Sequence, residues 1–446
     1  MLTPVASPLQ PPLPGFDLAD AQDAAEAAGF DRIHDALRRE RGRWMAEAAG
    51  LRLRSAFQPI YSLAHGRAVG HEALLRAEDG AGRPVPAPVA LRGNGSFAHR
   101  LLADRSARLI HALNFAEAAP AAHWLFLNLQ PQILASVPIE RHTGFQQRLR
   151  ERTGLAPHQI VLEVIEQAVP EDVDFEGRLA GARRDGSLIA IDDFGAGHSN
   201  LDRVWRLRPA IVKLDRSLVR RGALDAQARR VVAQMVALLH HCGALVLMEG
   251  VETREEALLA FEANADLVQG DLFAAPAERL ADPDAATQTL GDLWDDYETR
   301  RSTEQHSYRA GLRPYIDAIG YASALLAEGR PLEEATAAFL HLPAAEVCYL
   351  LDDEARQVGD NAWAPSRLES EPLAFAPMRQ TDGAHWGRRP YYRRAMESVG
   401  QVQVTRPYRT VHGAHLCVTV SVAFRDTPGA ALEVICGDIG WEGGPA

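Results

Sequence analysis

Between residues 51 and 280 the chain alternates short apolar runs with longer amphipathic ones. The apolar runs predict strands over 56–63, 68–76, 124–129, 160–166, 188–193, 211–215, 245–250 and 267–270. Helical spacing of apolar positions predicts helices over 100–118, 172–185, 226–241 and 253–263, and an amphipathic helix over 30–50. Ile160-Val161-Leu162-Glu163-Val164-Ile165 and Leu188-Ile189-Ala190-Ile191 read continuously apolar, as parallel strands covered on both faces do. Strands that alternate with helices predict a closed α/β barrel. The turn Ala64-His65-Gly66-Arg67 is too short for a crossover helix. The first two strands must therefore pair antiparallel, giving an irregular TIM-like (β/α)8 barrel.

Polar groups stand at or near the ends of these apolar runs: Glu72, Asn128, Glu163, Asp192 with Asp193, and Glu249. A charge at a strand end is tolerated best where barrel strands open into a pocket, and a cation there offsets its burial. Oxygen donors on five separate elements predict a site for hard divalent cations. Each residue also has a plainer reading. Glu72 reads as an exposed strand-end charge, Asn128 as a turn or cap residue, and Lys213 as a snorkelling lysine. Glu166 and Glu252 read equally as structural hydrogen-bonders.

Length and composition add bounds. A chain of 446 residues is expected to hold two domains. The pattern divides it into a flexible Pro-rich leader (1–28), the barrel (29–280), a helical connector (281–340) and a C-terminal domain (341–446). A net charge of −12, from 47 basic and 59 acidic residues, argues against a surface for duplex nucleic acid. Cys242, Cys348, Cys417 and Cys436 lack metal-knuckle spacing and suggest no disulfide framework. No apolar run is long enough for membrane insertion and no secretory signal opens the sequence, so a cytoplasmic protein is expected.

Glu72-Ala73-Leu74-Leu75-Arg76, Asn128, Glu163, Asp192-Asp193-Phe194-Gly195, Lys213-Leu214-Asp215, Glu249-Gly250-Val251-Glu252 and Gln269-Gly270 follow one another in order. Together they resemble the signature of EAL-domain cyclic di-GMP phosphodiesterases, over about half the chain. The resemblance implies hydrolysis of cyclic di-GMP to linear pGpG by two divalent cations, Mg²⁺ or Mn²⁺. It implies Glu72, Asn128, Glu163 and Asp192 on one ion, with Asp192 bridging to a second ion aided by Asp193 and Glu249. Glu72, Asp192, Lys213 and Glu249 would carry the chemistry. Arg76 would fork onto a substrate phosphate. Gln58 and Gln269 would contact the substrate or the groups behind it, and Glu166 would anchor the loop after Asp193. Four positions depart from the pattern: Gln130 stands where the Ser of an Asn-x-Ser is usual, Ala196 and His198 where Thr and Tyr are usual, and Asp271 where an aromatic residue is usual. The alternative is a weak or inactive cyclic di-GMP receptor that signals to a protein partner.

The C-terminal stretch is read as a regulatory part. Spacing of Leu293, Trp294, Tyr297, Tyr308, Leu312, Tyr315 and Ile319 predicts amphipathic connector helices, broken near Gly311 and Pro314, that could carry homodimer contacts. Strands are predicted over 346–351, 401–406, 415–425 and 431–437, the third of them half-buried because Val418–Phe424 alternates. Residues 386–395, Pro407-Tyr408 and Cys436–Ile439 resemble PAS/Cache-like α+β sensors of small ligands. That resemblance implies a pocket of Trp386, Arg389, Tyr391, Tyr408 and Asp438, suited to an amine or amino-acid ligand. The plainer alternative is an aromatic core with solvated arginines.

Overall fold

The computed structural model describes residues 29–441 except 93–94, 120–121, 138, 166–174, 198–200, 369–379, 410–415 and 428. The expected leader, Glu166 and His198 thus lie outside the described residues. The chain divides into two compact units, one ending at Tyr297 and one beginning at Glu298. Among the described residues no helix is long and apolar enough to cross a membrane.

The first unit holds one sheet. Its strands are β1 (Arg38–Glu40), β2 (Arg43–Ala48), β3 (Leu51–Ser62), β4 (Arg67–Glu78), β5 (Pro84–Val85) and β6 (Trp124–Asn128). There follow β7 (Ile160–Ile165), β8 (Leu188–Phe194), β9 (Ile211–Leu214), β10 (Leu245–Met248) and β11 (Leu267–Val268). From β4 through β6, β7, β8, β9 and β10 to β11 every pairing is parallel, and β3 closes the ring antiparallel to both β11 and β4. The result is the expected eight-strand closed barrel with an antiparallel first pair.

The helix expected over 30–50 is only Phe30–Asp35. The rest is the β1–β2 hairpin, whose β2 pairs antiparallel with β3. Arg41 and Gly42 adopt positive φ (52° and 81°), which no helix accommodates, and pairing with a barrel strand overrides the weak helical spacing.

Strand periodicity builds the barrel interior in layers. One apolar cluster gathers Ile60, Phe126, Val161, Ala190, Ile211, Leu247 and Leu267, each from a different strand. Side chains two residues apart share a strand face. Directly above that layer therefore come Gln58, Asn128, Glu163, Asp192, Lys213, Glu249 and Gln269. On β4 the pair is Gly70 and Glu72. A Cβ on Gly70 would lie 3.2 Å from the Phe126 ring, so the glycine leaves room for that ring below Glu72. The outward strand faces pack on the surrounding helices in a single large core that includes Leu109, Phe115, Val236, Leu258 and Leu259.

In the second unit β12 (Ala345–Leu351), β13 (Gln357–Trp363), β14 (Gln403–Val404), β15 (Tyr408–Arg409), β16 (Leu416–Phe424) and β17 (Glu433–Trp441) form one antiparallel sheet. Its order is β13-β12-β17-β16-β14, with β15 also on β16. Helix Leu332–Leu340 brings Phe339 against the sheet at Gly437, where a Cβ would come within 2.5 Å of the ring. Two expectations need correction. The break near Pro314 does not occur, because one helix runs Thr287–Ala327 with Pro314 inside it. Leu312, Tyr315 and Ile319 are buried around the proline and hold the helix through the lost hydrogen bond. Nor is β16 half-buried: Val418–Phe424 is buried on both faces, and Thr419 and Ser421 find partners inside.

Candidate functional site

Lys213 organises the polar layer at the barrel mouth. Its side chain is fully buried, and Nζ lies 2.5 Å from Glu163, 2.6 Å from Glu249, 3.1 Å from Asp192 and 3.4 Å from Glu72. Burial works against its charge, but those four carboxylates outweigh it and hold the ammonium well above the ordinary lysine range.

The carboxylates differ in how they are supported. Glu72 Oε1 accepts from Asn128 Nδ2 at 3.2 Å and Oε2 from Gln269 Nε2 at 2.8 Å. Burial pushes Glu72 up, yet Lys213 and these two amides together bring it below the usual range. Glu163 and Glu249 touch the same ammonium more closely but are raised well above the usual range. Burial dominates both, and Glu72 and Asp192 add repulsion. Neither has an amide donor like those on Glu72 among the described residues. Both oxygens of Glu163 are buried without an aligned hydrogen-bond donor.

Asp192 and Asp193 would point to opposite sides in a regular strand. Here the β8–β9 register shifts between Ile191 and Phe194, and Asp193 takes φ +56° while its N–H donates to Asp192 Oδ1 at 3.0 Å. The bulge turns both carboxylates toward Glu249, and oxygens of the three lie within 4.8 Å of one another. Burial raises Asp193, and adjacent Asp192 raises it further. Four carboxylates around one ammonium and a fifth, Asp193, beside Asp192 and Glu249 fit a hard divalent cation.

Gln58 and Gln269 stand beside this layer. Gln269 Nε2 donates to Gln58 Oε1 at 3.1 Å as well as to Glu72, which leaves its buried Oε1 without a partner. Arg76, the fourth residue after Glu72 on β4, is exposed, and Nη1 reaches only the Leu75 carbonyl at 3.2 Å.

The sequence profile of the EAL domain matches residues 43–276, more than half of the chain. The chain belongs to the EAL-domain family. Among relatives, the EAL domain is 32% identical over 153 residues to the cyclic di-GMP phosphodiesterase RocR of Pseudomonas aeruginosa, covering 34% of this chain and 38% of RocR. It is 34% identical over 119 residues to the probable cyclic di-GMP phosphodiesterase PdeD of Escherichia coli, covering 26% of this chain and 22% of PdeD. The chain thus spans well under half the length of these relatives. The crystal structure of YkuI from Bacillus subtilis, a protein with an EAL domain in complex with substrate c-di-GMP and calcium, superposes with a TM-score of 0.72 at 19% identity. It covers 87% of this chain and 96% of YkuI, so the shared fold extends past the EAL domain.

Two further residues of the EAL domain, the departure at Asp271 and Glu252, can now be placed. Asp271 is exposed and accepts from Gln58 Nε2 at 3.2 Å, so it ties into the amide pair behind Glu72. Glu252 is exposed, and its N–H is taken by Glu256 at 2.8 Å as part of a helix start.

Beyond the EAL domain, Trp386, Arg389, Tyr391, Tyr408 and Asp438 do come together. Asp438 is buried and accepts from Thr419 Oγ1 at 2.7 Å, and Tyr408 shares that hydroxyl at 2.6 Å. The Tyr391 and Tyr408 rings stack at 6.3 Å, and the Arg389 guanidinium lies 5.3 Å from the Tyr408 ring centre. Tyr349 packs against both Trp386 and Tyr391. Tyr349 and Thr419 escaped the sequence reading. The signal available was Thr419 and Ser421 at strand spacing in an otherwise apolar run.

Proposed function

We propose that the EAL domain hydrolyses cyclic di-GMP to linear pGpG with two divalent cations. One observation carries this reading: seven polar residues from seven barrel segments converge above one apolar layer around a buried lysine. The names of RocR and PdeD support the substrate. Glu72, Asn128, Glu163 and Asp192 would hold one cation, and Asp192, Asp193 and Glu249 the other. Bound there, the cations would polarise a phosphodiester and activate water at neutral pH. Lys213 would stabilise negative charge growing on the phosphoryl oxygens. Arg76 would fork onto a substrate phosphate, and the Gln269 carbonyl would accept an N–H or O–H brought into the site. Glu72 is held from two sides by amides, so Glu72→Ala removes a cation ligand without opening the fold. It is expected to lower pGpG formation at least about a hundredfold, the scale of losing one charge-stabilising group, while thermal unfolding changes little. Full turnover in this variant would contradict the assignment.

For the second unit we propose a PAS- or Cache-like sensor that regulates the EAL domain and binds a small amine or amino acid between its aromatic rings and Asp438. The support is the antiparallel sheet together with the buried carboxylate among stacked rings. Calorimetric titration of the full chain with a panel of amines and amino acids tests it. Binding that disappears in Asp438→Asn is expected, and no heat from any of them contradicts it.

A further inference from the structure

A cluster of opposite charge stands at the edge of the same barrel. A polar cleft of about 150 Å³ opens between the β1–β2 hairpin, the start of β3 and the segment just after Ala277, which bridges to Phe57. Its walls carry Arg41, Arg43, Arg54 and Arg279 against Glu40 and Glu278. Arg54 is already neutralised, with its guanidinium nitrogens 3.1 Å from Glu40 and 3.4 Å from Glu78. Arg41, Arg43 and Arg279 have no carboxylate at ion-pair distance among the described residues. Arg43 is half-buried. Burial holds its guanidinium below the ordinary range, Glu278 opposes this, and Arg279 adds to it.

Gathering like charges in a partly desolvated cleft raises the free energy of the fold unless a counter-charge lies among them. Of the two carboxylates in the cleft wall, Glu40 is engaged by Arg54, and Glu278 acts on Arg43 without an ion pair. The cleft is smaller than the roughly 300 Å³ at which pockets begin to enclose a drug-sized ligand. The Trp44 ring in its wall carries the Arg39 guanidinium on one face, 4.4 Å from the ring centre. Planar forks directed at a compact space match an oxyanion. We propose that this cleft binds a phosphate group, held by Arg43 and Arg279 with Arg41 at the rim. The cleft is lined without Arg76, although Arg54 in its wall lies opposite Arg76 across the β3–β4 pair. Gln58, which faces Glu72 across the same pair, is four residues along β3 from Arg54. That is roughly 13 Å of strand.

The test is calorimetry on the full chain in chelator, which removes any route through metal ions. Inorganic phosphate is titrated in one arm and guanosine monophosphate in the other. Wild type and Arg76→Ala should bind phosphate alike, whereas Arg43→Ala/Arg279→Ala should weaken it roughly tenfold or more, as losing charge-assisted bonds does. Arg279→Ala alone, at an exposed position, gives the same reading in smaller measure should the double variant unfold. Tighter binding of the monophosphate marks a nucleotide as the source of the phosphate group, and equal binding marks free phosphate. No binding to wild type, binding lost only in Arg76→Ala, or binding retained in the Arg43 and Arg279 variants would each overturn the proposal.

Discussion

Burial pushes the Asp438 carboxyl up to about 7; Glu346 adds to the rise, while Thr419, Tyr349 and Arg389 oppose it. A carboxyl raised in the fold is most favourable when protonated. Its contribution is complete below the unfolded value near 4 and is lost as pH rises to about 7. Over that window wild type should lose on the order of 1.4 kcal/mol per pH unit relative to Asp438→Asn, and the difference should level off above it. Urea unfolding of both proteins from pH 4 to 8 checks this, and parallel profiles would contradict it. Residues like Glu72, Glu163 and Lys213 were legible in the sequence because each interrupts an apolar run at strand spacing. Thr419 was not, because a hydroxyl in a β-rich run reads as solvent-facing until the opposite face is known to be covered. The unequal support of Glu72 and Glu163 was also hidden, since it depends on amides from β6 and from the residue after β11.

At the scale of elements, the bulge in β8 does more for the site than any regular strand. A regular strand would send Asp193 away from Asp192, and the register shift brings both toward Glu249. Gly195 follows at φ +95°, and a Cβ there would meet Leu218 at 1.9 Å, so the turn out of the bulge admits only glycine. The barrel strands were legible from their apolar runs, and the antiparallel first pair from a four-residue turn. The β1–β2 hairpin was not, because β2 takes its stability from pairing with β3 and the short β1 from pairing with β2. The uninterrupted helix through Pro314 was hidden for a similar reason: packing of Leu312, Tyr315 and Ile319 decides it, and local propensity points the other way.

For the whole molecule, a chain of net charge −12 gathers five of its carboxylates at one barrel mouth. On the proposed reading, such a site attracts cations first and a phosphodiester only through them. Excess negative charge there repels an anionic substrate, and neutralising it is the condition for binding. The most direct measurement is cyclic di-GMP turnover by the purified chain with Mg²⁺, with Mn²⁺ and with chelator, following pGpG by chromatography. Product that forms with either metal and vanishes with chelator is the predicted result. Tight binding of the nucleotide with no pGpG in either metal would contradict it, and would make the chain a receptor.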